Sequence, residues 1–255
     1  ITMDITEANL TGIESGDTVT LSASISGTAV NTYTTLDGDP VIGGASKDNY
    51  SITVSGTLTI TAKDIDDKSI TVDPLPNVTY NGVDQKQEPV VKDGSKTLTK
   101  DTDYTISYSN DTRNVGTVTV TITGINNYKG TRTVSYNILQ KSVTATKSDS
   151  KVYTGSKITM TIDESNITGL ISGDDVKLSA SISGTAVNTY TTLDATPVIT
   201  GNDAKNYSIT VSGTLDITKA GTLDLTATGY SGQYDAKSHT GSASSTVANT
   251  TIKYS

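Results

Sequence analysis

The sequence predicts an all-β (mostly β) protein made of tandem small modules, β-grasp-like or β-sandwich in form, set in an elongated array. Three observations carry that expectation. Apolar residues alternate with Thr and Ser at period two through much of the chain, the mark of strands with one buried and one wet face. A long segment recurs with little change: Ile1–Thr61 aligns without a gap with Ile158–Thr218, a constant offset of 157, and 45 of the 61 positions are identical. The 255 residues are only 33% hydrophobic and contain no Trp, Phe or Cys. Such a chain fills several thin aliphatic cores more readily than one large one.

Residues 1–61 read as a first module, with period-two runs at Val19, Leu21, Ala23 and Ile25, and at Ile52, Val54, Leu58 and Ile60. Asp4-Ile5-Thr6-Glu7 has the form of a capping box, so one short helical turn is expected there, ended by Gly12; Thr161-Ile162-Asp163-Glu164 and Gly169 repeat the signal. Residues 62–140 form a middle module of different sequence, with runs at Val118, Val120 and Ile122 and at Val134, Tyr136 and Ile138. Residues 141–218 form the second copy, whose runs include Val176, Leu178, Ala180 and Ile182. It carries Ser142–Lys157 ahead of the aligned part, so the first copy reads as truncated at its N-terminal side. Residues 219–255 read as the start of a further, truncated module, and both ends look cut from a longer array. Tyr80-Asn81-Gly82, Tyr153-Thr154-Gly155 and Tyr234-Asp235-Ala236 punctuate the modules at spacings of 73 and 81. Asn, Asp and Gly accept positive φ in a tight turn, and the Tyr ring is expected to cap a small core.

The middle module continues with Val90-Val91-Lys92-Asp93-Gly94, Asp103-Tyr104-Thr105-Ile106-Ser107-Tyr108-Ser109-Asn110, Asn114-Val115-Gly116 and Gly124-Ile125-Asn126-Asn127-Tyr128-Lys129-Gly130. In this order the motifs resemble the MBG (mostly β-grasp) repeats of bacterial surface proteins. The flanking copies, through Gly12-Ile13-Glu14-Ser15-Gly16-Asp17-Thr18-Val19, Asp48-Asn49-Tyr50-Ser51-Ile52 and Tyr153-Thr154-Gly155, are similar to the related YDG-type repeats. Two departures are mild: Thr154 stands for the Asp of the motif, and Ala236 for its Gly. The likeness implies an extracellular place on the bacterial cell surface, at the cell wall, in adhesin-like proteins or secreted multidomain enzymes. It brings no catalytic residue set.

Composition narrows the chemistry. A net charge of −8 with no basic cluster argues against nucleic acid and against an anionic membrane surface. Without Cys there are no disulfides or thiolate metal sites. No apolar run approaches the roughly 20 residues of a membrane helix. The one histidine, His239, lies between Ser238 and Thr240, and a solvated loop explains it better than a catalytic triad. Carboxylates gather in turns such as Asp37-Gly38-Asp39 and Gly173-Asp174-Asp175, where turn formation explains them better than glycoside hydrolysis. Gly43-Gly44 reads as a turn, not a phosphate loop. Asp64, Asp66 and Asp67 at the first junction are the one candidate calcium site, against the plainer reading of a solvated acidic linker. Tyr50, Tyr128 and Tyr207 are candidates for a sugar-binding face, against rings packed on the core with hydroxyls at the surface. No cofactor and no catalytic, metal or cofactor-binding residue is expected.

Three functional readings stay open. The first is a non-enzymatic stalk or spacer that projects a distal binding domain from the cell wall. The second is repeats that themselves bind a glycan or a host or matrix protein. The third is an accessory module of a secreted polysaccharide-degrading enzyme. Neighbouring repeats are the expected partners, and self-association through sheet edges is a further expectation. The first copy lacks its first strand, and the tail offers an unpartnered one at Leu223–Thr228.

Overall fold

The computed structural model describes residues 1–109, 111–245 and 251. Asn110 of the middle-module motif and residues 246–250 and 252–255 of the last segment lie outside them. The protein is all-β: its strands form several small sheets, and the helical content among the described residues is four single turns of 3-10 helix. Two compact units divide the chain, Ile1–Lys141 and Ser142–Ser255.

The alternation seen in the sequence sets which face of each strand is buried. In Gly116–Gly124, Val118, Val120 and Ile122 are buried while Thr117 and Thr119 face water. That strand sits between Tyr104–Tyr108 and Thr131–Leu139, antiparallel to both, and Val78–Thr79 joins Thr131–Leu139 in parallel. A second sheet, Ile70–Val72, Val91–Asp93 and Lys96–Thr97, closes the middle core over Ile65, Ile70, Val91, Leu98, Ile122 and Tyr128.

The two copies share one frame. Thr2–Thr6, Thr20–Ser26 and Val41–Gly43 form an antiparallel sheet in the first, and Ile158–Asp163, Lys177–Gly184 and Val198–Thr200 form its counterpart in the second. Three buried residues correspond: Ile5, Leu21 and Ile25 against Ile162, Leu178 and Ile182, and the second core adds Ala145, Met160, Leu215 and Ile217. The short turn expected from the capping box exists, two residues later than the sequence suggested. It is Glu7–Asn9 and Glu164–Asn166, because Asn9 and Asn166 reach back to the backbone N–H of Thr6 (2.9 Å) and Asp163 (3.1 Å). Gly12 and Gly169 adopt positive φ, but Leu10 and Ile167 cap the turns.

One identical stretch folds in two ways. Asn49–Leu58 and Asn206–Leu215 have the same sequence, yet Tyr207–Thr218 is a twelve-residue strand while the first copy is strand only over Leu58–Ile60. The expected strand through Ile52 and Val54 does not form. The difference is a neighbour. In the second copy, Lys141–Val152 lies beside Tyr207–Thr218, and contacts from Thr146 to Ser212 (3.2 Å) and from Tyr153 N–H to the Thr218 carbonyl (2.9 Å) advance together, so the two run parallel. On its other edge Lys141–Val152 pairs antiparallel with Ile167–Thr168. Among the described residues nothing takes that place beside Tyr50–Thr57. Leu215, Ile217 and Tyr207 are buried, whereas Leu58, Ile60 and Tyr50 are half-buried.

In the last segment, Leu225–Thr228 pairs antiparallel with Ser242–Ser245. The tail strand expected to be unpartnered is thus shorter and has a partner, but every residue of it is exposed.

Candidate functional site

At Tyr80 and Tyr153 the motif marks the point where the strand before it is pinned to the last strand of the module. The Tyr80 N–H donates to the Leu139 carbonyl (2.8 Å) just as Tyr153 does to Thr218. Gly82, Gly155 and Ala236 all adopt positive φ (82°, 76° and 56°). Asn81 and Asp235 close the same turn by accepting from the N–H two residues on, at Val83 (3.1 Å) and Lys237 (3.0 Å). The expected core cap holds only for Tyr80, which is 1% exposed; Tyr153 is 39% and Tyr234 96% exposed.

Of the candidate sugar-binding tyrosines, Tyr128 and Tyr207 are buried and Tyr50 is half-buried. Their hydroxyls bond groups of neighbouring turns in exposed or partly buried positions. Tyr50 donates to Asp17 (2.7 Å) and accepts from the Glu14 N–H (2.9 Å), and Tyr207 repeats this with Asp174 (2.6 Å) and Ile171 (2.9 Å). Each ring thereby clamps the Gly-Asp turn of its copy. Asp17 raises the Tyr50 pKa by accepting this bond. Tyr128 donates to Asp93 (3.2 Å), which also receives Lys63 (2.6 Å). The lysine bond holds the Asp93 carboxyl below the usual carboxylate range.

Burial, reinforced by Asp93, pushes the Tyr128 pKa from 10.0 up to about 12, and burial raises Tyr104, Tyr108 and Tyr136 as well. A raised folded-state pKa contributes stability that is full below pH 10 and is lost as pH climbs through the folded value. The middle module is therefore expected to weaken between pH 10 and about 12, Tyr128 alone accounting for roughly 3 kcal/mol. Alkaline titration followed by tyrosinate absorbance and circular dichroism checks this. These tyrosines should ionise together with loss of the sheet signal, and Tyr128→Phe should move the transition to higher pH.

Asp64, Asp66 and Asp67 are solvated, as the plainer reading has it, but they stand on a folded entry to the middle module. Lys63–Asp64 pairs in parallel with Tyr128–Lys129, and Ile65 is fully buried. Asp64 accepts from the Asp66 N–H (3.0 Å), and Asp67 accepts from both N–H (2.9 Å) and hydroxyl (2.7 Å) of Ser69. Asp66 lies 3.9 Å from Arg132. These bonds fold a turn. Among the described residues, no group of three or more His, Asp or Glu side chains is arranged to hold a metal ion.

His239 stacks on Tyr230, with ring centroids 3.5 Å apart, and bonds Asp235 (2.7 Å), tying the tail turn to its neighbour. The turn carboxylate Asp37 accepts from the Ser24 (2.7 Å) and Ser26 (2.8 Å) hydroxyls, and Asp194 does the same with Ser181 (2.7 Å) and Ser183 (2.6 Å). The serine hydroxyls hold both carboxyls below their ordinary range.

The copies differ on one surface that sequence reasoning passed over. A groove of about 440 Å³ in the first copy is lined by Asp4, Ser22, Ser24, Asp37 and Asp39. Its counterpart, about 330 Å³, carries Thr161 and Thr196 where the first has Asp4 and Asp39. The aligned differences Asp4/Thr161 and Asp39/Thr196 were the available signal. The frame is repeated while the charge of this groove is not. No described helix is long and apolar enough to cross a membrane. Comparison of the chain with protein-family models, with curated proteins and with solved structures found no match.

Proposed function

We propose that the chain is a run of non-catalytic spacer repeats from a secreted bacterial surface adhesin, set end to end to project a distal binding domain from the cell wall. The observation that carries this reading is the parallel pairing of Lys141–Val152 with Tyr207–Thr218, the first and last strands of the second copy. Tension applied at the two ends of that module pulls adjacent parallel strands in opposite directions along their length. The bonds between them are loaded together in shear instead of opening one at a time. Thr131–Leu139 and Val78–Thr79 are also parallel in the middle module. Separate cores for the first three modules, with an interior mostly of aliphatic residues and Tyr and without Cys, suit a stalk whose units carry load independently. The resemblance to MBG and YDG-type repeats points the same way.

Single-molecule stretching of the full chain tests the reading. The expected trace has separate unfolding events for the modules, the second copy among the most resistant. Unfolding in one low-force event overturns it. Saturable binding of the chain to a glycan array or to matrix proteins would favour repeats that themselves bind, for which the copy-specific acidic groove is the observation in hand.

A further inference from the structure

We propose that Asn127 is the positioning residue of a stiff joint between the first copy and the middle module, holding the two at one angle through the backbone of Val30. The joint is built on the loop of residues 125–129. Its two asparagines divide the work. Asn126 takes positive φ (57°), and its amide donates to the Thr102 carbonyl (2.8 Å), which fastens the loop to its own module. Asn127 reaches the first copy. Its side-chain oxygen accepts from the Val30 N–H (2.8 Å), and its backbone carbonyl accepts from the Lys63 N–H (3.0 Å), where the chain enters the middle module.

Both sides of the contact are fixed by their own modules. In the first copy, the Tyr33 hydroxyl donates to the Ala29 carbonyl (3.0 Å) and accepts from the Ala29 N–H (3.2 Å), which pins the loop that presents Val30. Tyr190 makes the same two bonds to Ala186 (3.1 and 3.2 Å), so this half of the joint is a property of the repeat. In the middle module, Lys63–Asp64 pairs with Tyr128–Lys129, and the Ile65 N–H donates to the Lys129 carbonyl (2.8 Å). Gly130 lets Asp64 come close: a Cβ there would stand 2.5 Å from its carboxylate oxygen.

These connections close a ring. Asn31–Tyr33 pairs with Leu58–Ile60, with Asn31 opposite Ile60. From Ile60 the chain runs through Thr61 and Ala62 to Lys63, then by hydrogen bonds to Asn127 and back to Val30, beside Asn31. Two residues between paired strands leave little slack, since Ile60 and Lys63 can stand no more than about 11 Å apart. Such a tether alone still lets the modules swing, because each residue brings two soft dihedrals. The Val30–Asn127 bond is a second attachment beside the tether, and it removes that freedom. The bond is exposed and modest in strength, but it competes only with the few angles that so short a tether permits. The joint goes beyond the spacer reading and does not depend on it.

The chain has no cysteine, so the 255-residue protein takes two spin labels cleanly, at Asp48→Cys in the first copy and Val83→Cys in the middle module, both exposed positions. Electron–electron double resonance should give one narrow distance peak. Asn127→Ala should lose that narrow peak, and the Val30 amide should exchange roughly tenfold faster with its acceptor gone. Asn127→Asp keeps an acceptor oxygen in place and should keep the peak. Val30→Pro removes the donor instead, at a residue outside all three cores, and should broaden the peak as Asn127→Ala does. Neither change removes a group of the backbone bond from Lys63 to Asn127. Amide protection of Thr20–Ser26 and Gly116–Gly124 should be unchanged in every variant. A broad distribution in the unaltered chain overturns the proposal, as does a narrow peak in either Asn127→Ala or Val30→Pro. So does an Asn127→Asp peak as broad as that of Asn127→Ala, or broadening that comes only with loss of protection in those strands. None of these outcomes bears on resistance to force or on ligand binding, so the spacer reading is judged separately.

Discussion

Leu215→Ala is expected to cost about 3–4 kcal/mol, and Leu58→Ala only about 1–2 kcal/mol, although the two leucines lie in identical sequence. Leu215 is 0% exposed and packed in a core with Ala145, Met160, Ile162 and Ile182. Truncating it loses the transfer energy of the removed carbons and leaves a cavity that paired strands on both sides prevent from collapsing. Leu58 is half-buried, at the start of a three-residue strand with one paired edge. Solvent already reaches it, so less is lost and the vacancy closes more easily. Residue-resolved amide exchange is the right measurement, because modules with separate cores need not unfold in one transition. Protection should collapse across residues 207–218 for Leu215→Ala and change little elsewhere. Equal losses in the two copies would mean that the missing neighbour strand does not control burial.

Gly201→Ala should destabilise the second copy by about 3 kcal/mol, and Gly44→Ala the first by a similar amount. Both glycines hold positive φ, 113° and 97°. A Cβ on Gly201 would overlap the Asp175 carbonyl oxygen and stand 2.8 Å from its carbon; on Gly44 it would do the same to Thr18, also 2.8 Å from the carbon. The obstacle is backbone, which cannot swing aside as a side chain does. Left-handed strain and the overlap therefore add. Gly173→Ala is the control. Its φ is 93°, but a Cβ there meets nothing, so strain alone remains and roughly 1 kcal/mol is expected. Thermal unfolding of the three variants separates the terms. A Gly201→Ala variant no weaker than Gly173→Ala would show that the turn relaxes without cost.

The Gly43-Gly44 pair illustrates how a local signal reads only in part. Both glycines suggested a turn, yet Gly43 ends the strand Val41–Gly43 and only Gly44 needs its freedom. The second copy places Thr200 opposite Gly43 and keeps Gly201, which was the clue available without coordinates. The capping box was misplaced by two residues for a similar reason. Asn9 and Asn166 close it through their amides, a partner that the Glu-based pattern does not anticipate. The junction aspartates looked like a linker because their bonds run to Ser69, Arg132 and the local backbone, and a lone acidic cluster does not disclose such partners.

What the sequence determined by itself is the all-β class, the repeat at offset 157 and the inward face of alternating runs such as Val118, Val120 and Ile122. All three follow from chain-local chemistry: a period of two, near-identity between copies, and Thr or Ser opposite each aliphatic residue. Tertiary structure decided whether an alternating run becomes a strand at all. Asn49–Leu58 and Asn206–Leu215 are the same ten residues, and only the second run lies beside Lys141–Val152. A β-strand draws its hydrogen bonds from another segment, so its formation depends on a neighbour that its own sequence does not contain. Tyr80 is buried while Tyr153 and Tyr234 are exposed, although all three open the same turn.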